Sequence, residues 1–592
     1  MKNKNRAFLP VILIIILGCL VYANSLKGKF IYDDITLIKY NDHIKSWISL
    51  PKILTEDIGA GSGQLSIFNR PIQMMSYTLD YSFWGLNETG YHLTNILLHI
   101  LVSLCIYALA NILCSSRPTA LLASLLYIAH PLHTEAVAYI SGRADPLATF
   151  FILLCLLFYI RQASSNSKAA FISILVCYVA ALLSKEYSVI TPALFLLYSY
   201  IFKAKLRWKE FLSLLIITAV YLIMRTAVIG NTHLQAYASF LERVPGFFFA
   251  MAEYLRLMLL PFDLHMGYGR KLFGFYDFRV VSGIIITLFL LSYAFKKRNS
   301  DKLVSFSIFW FFITILPQAN LIYPINAFMA EHWLYLPSLG FFLIFARALV
   351  SLYQKTKIKN AVLVFIICLL SFYSFLTVKQ NRYWSEPVSF YERTLKFSPD
   401  TWELYYNLAL NYEDRGNNKD AIALYKKVLE MKPKDVNTYF HLANIYHGLS
   451  QDEEAIGVYK QAIAANPSNV LLYFWFGHFY DEAGKTKEAL ELYNKALEKN
   501  PNFALVYMSL GKLYNKLGQK DKAAIMFGKA ILLFKQVLEI EPNYGTAYDN
   551  LAEAYFYTGQ YDLAINHCDK AIKYGYKVTP EFLELLKSHR KQ

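Results

Sequence analysis

Charged side chains are scarce in this chain of 592 residues. They make up 17% of the sequence, whereas 56% of the residues are hydrophobic. So little charge argues against a soluble nucleic-acid-binding protein, although the formal net charge is +16, and we expect no nucleic acid as a partner. The high apolar content excludes an intrinsically disordered chain. The composition therefore indicates a folded protein with a membrane-embedded part.

Motifs that depend on cysteine, a nucleotide or an activated serine are also missing. The seven cysteines include no C-x-x-C pair, and six of them lie in or beside apolar runs, which argues against a disulfide framework and against a zinc or redox centre. The sequence contains no P-loop, no G-x-G-x-x-G fingerprint and no G-x-S-x-G elbow. These gaps weigh against nucleotide-driven transport and against serine hydrolysis.

The positive charge belongs to the apolar part of the chain. Residues 385–592 contain 25 basic and 26 acidic residues, a net charge of −1, whereas residues 1–384 contain 34 basic and 17 acidic residues, a net charge of +17. Basic residues beside long apolar runs indicate membrane orientation before they indicate a polyanionic partner. We therefore divide the chain into a membrane domain, residues 1–384, and a second domain, residues 385–592.

The membrane domain is predicted to cross the bilayer eleven times, because it contains eleven suitable apolar runs. In chain order the runs are 8–23, 91–113, 119–129, 146–160, 168–183, 189–202, 211–229, 280–295, 303–323, 333–352 and 361–378. Residues 244–260 form a further apolar segment, which we expect to be re-entrant, interfacial or part of an outer hairpin.

Three basic clusters predict the orientation of these spans. They consist of Lys203, Lys205, Arg207 and Lys209; of Lys296, Lys297, Arg298 and Lys302; and of Lys355, Lys357 and Lys359. With a cytosolic N-terminus, all three face the cytosol, as the positive-inside rule requires. The loop 24–90 and residues 385–592 then lie outside the cytosol, in a periplasm, at the cell surface or in an endoplasmic reticulum lumen. We expect an integral protein of a bacterial or archaeal cytoplasmic membrane or of the endoplasmic reticulum.

The second domain is a strict internal repeat. Pro399, Pro433, Pro467 and Pro501 are each 34 residues apart, and Pro542 follows after 41 residues. Leucine, tyrosine and alanine return in register in each unit, which is the tetratricopeptide signature of paired helices. We predict about five repeats, with the seven extra residues near 532–538 adding about two helical turns so that the buried face is preserved. The predicted fold class is all-α, a polytopic membrane domain followed by a tetratricopeptide-repeat solenoid.

The adjacent carboxylates Asp33 and Asp34, in the loop 24–90, are the first candidate for chemistry. Two neighbouring carboxylates near a low-dielectric surface do not both ionise easily, so one of them is suited to act as a general base, or the pair to hold a cation. A solvated turn or a helix cap is the alternative for so common a dipeptide.

Four further polar clusters lie at the outer ends of the predicted spans. Ionisable residues at membrane depth are functional candidates by default, although an Arg143–Asp145 or Glu135–Arg143 pair that holds a turn, and a Lys185 that snorkels, are structural alternatives. The candidates are Arg70; His130, His133, Glu135, Arg143 and Asp145; Lys185 and Glu186; and Glu331 and His332.

In order along the chain, residues 30–34, 91–95, 130–145, 184–186 and 330–338, followed by repeats, resemble the transmembrane and tetratricopeptide-repeat O-mannosyltransferases. These belong to the GT-C superfamily of polyprenyl-phosphate-sugar-dependent glycosyltransferases, and prokaryotic relatives of this architecture also exist. The resemblance implies an inverting transfer of a sugar, with mannose expected, from a polyprenyl phosphate to a Ser or Thr hydroxyl of a protein held by the repeats. It implies Asp33 or Asp34 as the base, with Arg143, Lys185 and His332 binding the donor phosphate and the other candidates in support.

One departure from the family pattern concerns His332, which stands where the family has an arginine before Leu-Tyr-Leu-Pro-Ser. It would supply a weaker, pH-dependent charge, or it indicates a different donor. No metal ligands are assigned and no cofactor is certain, but a divalent cation stays open because only part of the superfamily uses one. The alternative functions are a non-catalytic membrane-anchored repeat scaffold and a lipid-linked sugar transporter.

Overall fold

The structure of the protein is a computed structural model that describes residues 2–162, 167–229, 238–269, 271–325 and 327–590. Within these ranges the chain forms helices and no β-strand, as the predicted fold class requires. It divides into two compact units, residues 1–408 and 409–592. The sequence placed the boundary at residue 384, so the first unit includes more of the chain than the apolar pattern indicates.

The first unit contains sixteen complete helices among its described residues. In chain order they are α1 Lys2–Tyr22, α2 Leu50–Thr55, α3 Pro71–Trp84, α4 Glu88–Cys114, α5 Arg117–Ala129, α6 Thr134–Val137, α7 Ala144–Gln162, α8 Lys168–Ser184, α9 Thr191–Phe202, α10 Trp208–Ile229, α11 Phe240–Leu259, α12 Phe278–Lys297, α13 Lys302–Ile315, α14 Ser338–Lys355, α15 Lys359–Ser385 and α16 Pro387–Phe397.

Six segments of the described chain are long and apolar enough to cross a membrane: Phe8–Lys27, Glu88–Cys114, Ile140–Gln162, Trp208–Ile229, Phe278–Lys297 and Lys359–Ser385. Four shorter apolar segments, Arg117–Ala129, Lys168–Ser184, Glu186–Phe202 and Lys302–Gln318, accompany them. Each of the eleven predicted runs overlaps a helix, and the number of crossings stays a prediction.

Two predicted runs are α-helical over only part of their length, and proline is the reason in both. The run 303–323 is helical only to Ile315, where Pro317 removes a backbone donor and the chain continues as a 3₁₀ turn, Leu316–Gln318. The run 333–352 becomes an α-helix only at Ser338, directly after Pro337. Residues 244–259 belong to one continuous 20-residue helix, α11, with Pro245 in its second turn, and Leu260 follows as its C-cap.

A buried apolar core joins α1, α4, α5, α7, α8, α9, α13 and α14. It includes the fully buried Trp310, whose ring N–H donates to the carbonyl of Leu336 at 3.0 Å. This core holds the ends of α4, α7, α8 and α14 in fixed positions, so the short polar segments that connect them are brought together at one end of the helix bundle.

The second unit consists of paired helices with the predicted period. They are α17 Trp402–Asp414, which begins in the first unit, α18 Asn418–Met431, α19 Val436–Gly448, α20 Asp452–Ala465, α21 Val470–Glu482, α22 Thr486–Lys499, α23 Ala504–Lys516, α24 Lys520–Ile540, α25 Gly545–Tyr557, α26 Tyr561–Lys573 and α27 Pro580–Lys587. α24 has 21 residues where α18, α20 and α22 have 14, so the predicted seven-residue extension of one helix is confirmed.

One hydrogen bond recurs from repeat to repeat. The first tyrosine of helices α19, α21 and α23 donates its hydroxyl to the carbonyl of the proline six residues earlier, each time at 3.0 Å. Tyr548 in α25 makes the same bond to Pro542 at 3.1 Å. The repeated prolines therefore end one helix and also fix the start of the next, which explains why the sequence period is so regular.

Candidate active site

The acidic pair follows a residue with unusual backbone geometry. Tyr32 has a φ angle of +49°, in the left-handed region that non-glycine residues rarely adopt. Its N–H donates to the hydroxyl of Tyr391 in α16 at 3.2 Å. Asp33 and Asp34 come next, where the chain enters a π-helical turn, Ile35–Lys39, a form that is frequent at functional sites.

Asp34 is fully buried, and its two carboxylate oxygens are already occupied. Oδ1 accepts hydrogen bonds from the N–H and the hydroxyl of Ser141 at 2.8 and 2.5 Å, and Oδ2 accepts one from the N–H of Ile31 at 3.1 Å. Burial raises the pKa of Asp34 from 3.8 to about 7, while the bonds from Ser141 and Ile31 act in the opposite direction. Asp34 therefore connects the loop 24–90 to Ser141, in the segment before α7.

Asp33 is the exposed member of the pair. Its N–H donates to the hydroxyl of Tyr139 at 3.2 Å, and the ring of Tyr139 stacks on Trp384 with the ring centroids 5.4 Å apart. The protein around the carboxylate still desolvates it, so the pKa of Asp33 is raised, against the opposing effects of the Tyr139 hydroxyl and the charge of Arg70. Asp33 thus combines accessibility with increased proton affinity.

Arg143 is fully buried, and each of its guanidinium nitrogens has a partner. Nε donates to the amide oxygen of Asn95 at 2.6 Å, Nη1 to the hydroxyl of Ser76 at 3.2 Å, and Nη2 to the carbonyl of Tyr91 at 2.9 Å. Nη2 also lies 2.6 Å from Oδ2 of Asp80. The geometry gives no support to the prediction that Arg143 binds the donor phosphate, and the two alternative pairings, with Asp145 and with Glu135, were wrong.

Lys185 and Glu186, which are consecutive, form two separate ion pairs. The Lys185 ammonium lies 2.8 Å from both carboxylate oxygens of Asp145. Glu186 accepts hydrogen bonds from Nε and Nη2 of Arg70, one on each carboxylate oxygen and each at 3.0 Å, in a forked geometry. Burial lowers the pKa of Lys185, with Asp145 opposing that effect.

Arg70 connects these pairs to the acidic loop. Its charge acts on Asp33 as well as on Glu186 and Asp145, so the two ion pairs lie close to the accessible carboxylate. Burial acts to raise the pKa of Glu186, but Arg70 outweighs that effect and the net shift is downward. Nη1 of Arg70 makes no hydrogen bond to any residue that the structure describes.

Glu135, His332 and Glu331 form a second cluster. Glu135 binds His332 twice, through Nδ1 at 2.8 Å and through the backbone N–H at 3.0 Å. Glu331 is fully buried and accepts hydrogen bonds at Oε1 from the His265 N–H at 2.5 Å and from the Tyr268 hydroxyl at 2.8 Å. Burial, with the neighbouring charge of Glu135, raises the pKa of Glu331 well above its ordinary value. The His332 side chain, 27% exposed, is the accessible member.

His130 and His133 lie inside the helix bundle. His133 bonds the carbonyl of Tyr127 at 2.8 Å and the hydroxyl of Ser338 at 3.0 Å, and His130 accepts the N–H of Leu132 at 3.3 Å. Both side chains are fully buried, so they shape the turn after α5 and do not face a substrate. Their support for the site is indirect.

Sequence reasoning missed three aromatic residues around Tyr32 and Asp33, namely Tyr139, Tyr391 and Trp384. It also missed Arg225, whose Nη2 lies 3.5 Å from the carbonyl of Ile67 in the loop 24–90. An aromatic residue near a predicted membrane boundary carries no signal that separates it from an ordinary interfacial anchor. In the described ranges no group of three or more His, Cys, Asp or Glu side chains is placed to hold a metal ion, and metal dependence stays open.

Comparison with known proteins agrees with this architecture. Residues 7–261 match the family described as dolichyl-phosphate-mannose-protein mannosyltransferase, and tetratricopeptide-repeat families match within 396–574. The protein O-mannosyl-transferase F38B6.6 of Caenorhabditis elegans is 27% identical over 441 residues, which cover 71% of this chain and 62% of that protein. The chain is a relative of the protein O-mannosyl-transferases.

Two human relatives extend the comparison. TMTC1 is 27% identical over 467 residues, covering 68% of this chain and 53% of TMTC1, and TMTC2 is 26% identical over 484 residues, covering 65% and 58%. The chain thus spans between half and two thirds of the length of these relatives. The resemblance inferred from the motifs is confirmed, and the chain is an integral membrane protein; these animal relatives lend no support to a prokaryotic source.

Among solved structures, MamA is 24% identical and covers 31% of this chain and 98% of its own, with a TM-score of 0.21. The tetratricopeptide-repeat protein YrrB is 22% identical and covers 34% of this chain and 98% of its own, with a TM-score of 0.22.

Proposed function

We propose that this chain is a membrane glycosyltransferase that moves a sugar, with mannose expected, from a polyprenyl phosphate to Ser or Thr hydroxyls of protein acceptors. The match to the mannosyltransferase family and the printed names of the relatives support the reaction class. The observation that carries the residue assignment is the contrast within the acidic pair, where Asp34 is bonded on both oxygens and Asp33 is exposed beside Arg70.

Asp33 is the general base of the proposed reaction. Its carboxylate takes the proton of the acceptor hydroxyl while the hydroxyl oxygen forms a bond to the anomeric carbon of the sugar. The bond from that carbon to the phosphate oxygen breaks on the opposite face, so the configuration inverts and the polyprenyl phosphate leaves with the bonding electrons. A raised pKa suits this role, because a base needs proton affinity near the working pH.

The leaving phosphate gains negative charge in the transition state, and cations placed beforehand stabilise it. Arg70 is suited to this task, because Nε and Nη2 are fixed by Glu186 while Nη1 makes no hydrogen bond to a described residue and can donate a charge-assisted hydrogen bond to a phosphate oxygen. Lys185 contributes a nearby positive charge. His332, accessible and paired with Glu135, is a second candidate for contact with the phosphate.

The proposed site faces away from the cytosol. The basic clusters favour an extracytoplasmic position for the loop 24–90, and with eleven crossings the residues that follow the last span share that compartment. The repeats then hold the protein acceptor, and the lipid-borne donor enters from the bilayer. A reporter fused after Gln592 tests the orientation: a non-cytosolic signal is expected, and a cytosolic signal would remove the site from the side of the membrane proposed here.

The decisive experiment uses the purified full-length chain in detergent, with polyprenyl-phosphate mannose and a panel of acceptor peptides. Asp33→Asn is expected to lower kcat by about 10²–10⁴-fold, the usual contribution of a positioned base. Asp42→Asn is the matched control, because Asp42 is an exposed acidic residue of the same loop whose ion pair within the described residues is with Lys45. Transfer by wild type and Asp42→Asn with loss in Asp33→Asn supports the proposal. Equal transfer by all three proteins would refute Asp33 as the base. No transfer by the wild type across a broad panel of donors would refute the proposal that the chain is a glycosyltransferase.

A further inference from the structure

Arg225 stands four residues before the end of α10, and it is the only charged residue of that helix after Lys209 and Glu210 in its first turn. α10, Trp208–Ile229, is long and hydrophobic enough to cross a membrane, and most of its surface is not covered by the rest of the protein. A charged residue within such a segment is costly to place in a bilayer and is rarely kept without a function.

The ordinary explanation for an arginine near the end of a span is that it extends to the interfacial water. The geometry of Arg225 differs from that. Its Nε is buried and makes no hydrogen bond to any residue in the described ranges, and Nη2 is directed at the carbonyl of Ile67 at 3.5 Å. Ile67 belongs to the loop that carries Arg70, so the side chain of Arg225 turns toward the proposed active site.

Arg225 has no carboxylate partner of its own among the described residues. Lys185 with Asp145 and Arg70 with Glu186 are complete ion pairs, which leave no net charge. Arg225 is a third cation near this group, since its Nη2 lies 3.5 Å from the carbonyl of Ile67, three residues before Arg70, and its charge acts on Glu186. An anionic ligand would give Arg225 the partner that the described residues do not. A phosphate that joins a lipid to a sugar is a diester and carries one negative charge.

We propose that Arg225 is a phosphate-binding residue for the lipid-linked sugar donor. The inference rests on the proposed function and adds a residue to it. The unbonded Nε and the weakly engaged Nη2 of Arg225 offer the phosphate a fork of N–H donors beside the free Nη1 of Arg70. Two guanidinium groups from different elements, the α10 helix and the loop before α3, then hold the phosphate while Asp33 acts on the acceptor.

The test separates binding from chemistry by using Asp33→Asn as the background, because that variant is expected to bind the donor without turning it over. Affinity for polyprenyl-phosphate mannose is measured in detergent for this background alone and with Arg225→Gln, Arg225→Lys or Arg279→Gln. Arg279 is the matched control, an exposed arginine in the first turn of α12 that lies beside Asp277 and outside the cluster.

Arg225→Gln is expected to weaken donor binding by about 10- to 100-fold, the range for a lost charged hydrogen-bond pair. Arg225→Lys keeps the charge and loses the fork, so an intermediate loss of about threefold to tenfold is expected. Arg279→Gln is expected to leave the affinity unchanged. In the active protein, Arg225→Gln should raise the donor KM and leave the acceptor KM unaltered.

An unchanged donor affinity in Arg225→Gln, in a protein whose background binds the donor, overturns the inference and leaves the proposed function standing. If Arg225→Gln fails to fold, Arg225→Lys decides, and an affinity equal to that of the background overturns the inference. If the wild type neither binds nor transfers any lipid-linked sugar, the proposed function itself fails. That outcome differs from unchanged donor affinity in Arg225→Gln, which refutes only the role of Arg225.

Discussion

Replacement of Arg143 provides the sharpest test of how the membrane unit is held together. The sequence motif and the family resemblance make Arg143 a phosphate-binding residue, whereas the structure surrounds it with Asp80, Asn95, Ser76 and the carbonyl of Tyr91. Arg143→Gln is therefore expected to act on folding. It removes one partner of a fully buried ion pair and leaves the carboxylate of Asp80 without its counter-charge.

Breaking a buried pair from one side costs about 3–5 kcal/mol, because the remaining charge stays buried and unpaired. Thr94 still donates its hydroxyl to Asp80 at 2.7 Å, which compensates only part of that cost. The double variant Arg143→Gln/Asp80→Asn removes both charges and is expected to recover a large part of the lost stability. Asp80→Asn alone should also be destabilising, since it leaves the guanidinium unpaired.

The assay follows loss of the monodisperse peak in detergent as temperature rises, for the wild type, the two single variants and the double variant. The expected pattern is a clear fall in the midpoint for each single variant and a smaller fall for the double variant, a coupling that only an interacting pair produces. An Arg143→Gln protein as stable as the wild type, with a donor KM at least tenfold higher, would refute the structural role and restore the phosphate assignment.

Two further predictions concern the acidic loop and the repeats. Burial raises the pKa of Asp34 from 3.8 to about 7, so the folded state binds the proton of this carboxyl group more tightly than the unfolded state does. The contribution of Asp34 to stability is therefore complete below pH 4 and is lost as the pH rises through about 7. The unfolding midpoints at pH 5 and pH 8 should differ less in Asp34→Asn than in the wild type, and an equal difference would contradict this. Deletion of residues 532–538 from α24 should preserve cooperative unfolding of the repeats, because seven residues are close to two helical turns. Deletion of residues 532–536 rotates the rest of the helix and should abolish cooperative unfolding. Equal behaviour of the two deletion variants would show that the helical register of α24 does not matter.

The repeat unit was predictable in detail because its information is local. The spacing of Pro399, Pro433, Pro467 and Pro501 fixes the period, and the bonds from the tyrosine hydroxyls to the proline carbonyls show why that period is kept. The extended α24 follows from the same arithmetic. In the membrane unit, apolar composition located the helices but not their ends, since one proline, such as Pro317, shifts a boundary without changing the mean hydropathy of the run.

The candidate site was predicted as a set of residues and not as a set of pairs. Arg143 and Asp80 are 63 positions apart, on either side of α4, and no spacing rule connects them. Asp145 and Glu135, which are nearer in sequence to Arg143, are bound to Lys185 and His332 instead. Sequence proximity therefore suggested the wrong partners, because Glu135 lies in α6 and Asp145 in the first turn of α7, and each pairs with a residue that is far from it in sequence.

The acidic pair shows why composition alone does not assign a base. Asp33 and Asp34 have the same side chain and adjacent positions, and the left-handed backbone of Tyr32 directs one toward Ser141 and leaves the other accessible. Under the proposed orientation the outer side of the membrane domain contains 16 basic and 15 acidic residues, so it is almost neutral, in contrast to the cytosolic rim. This face is almost neutral as a whole, yet Arg225, the residue proposed to bind the phosphate, has a buried Nε with no hydrogen bond in the described ranges. The net charge of +16 does not identify such a residue, because under the proposed orientation it reflects the basic residues on the cytosolic side. Binding depends instead on which charged groups remain without a partner after the chain has folded.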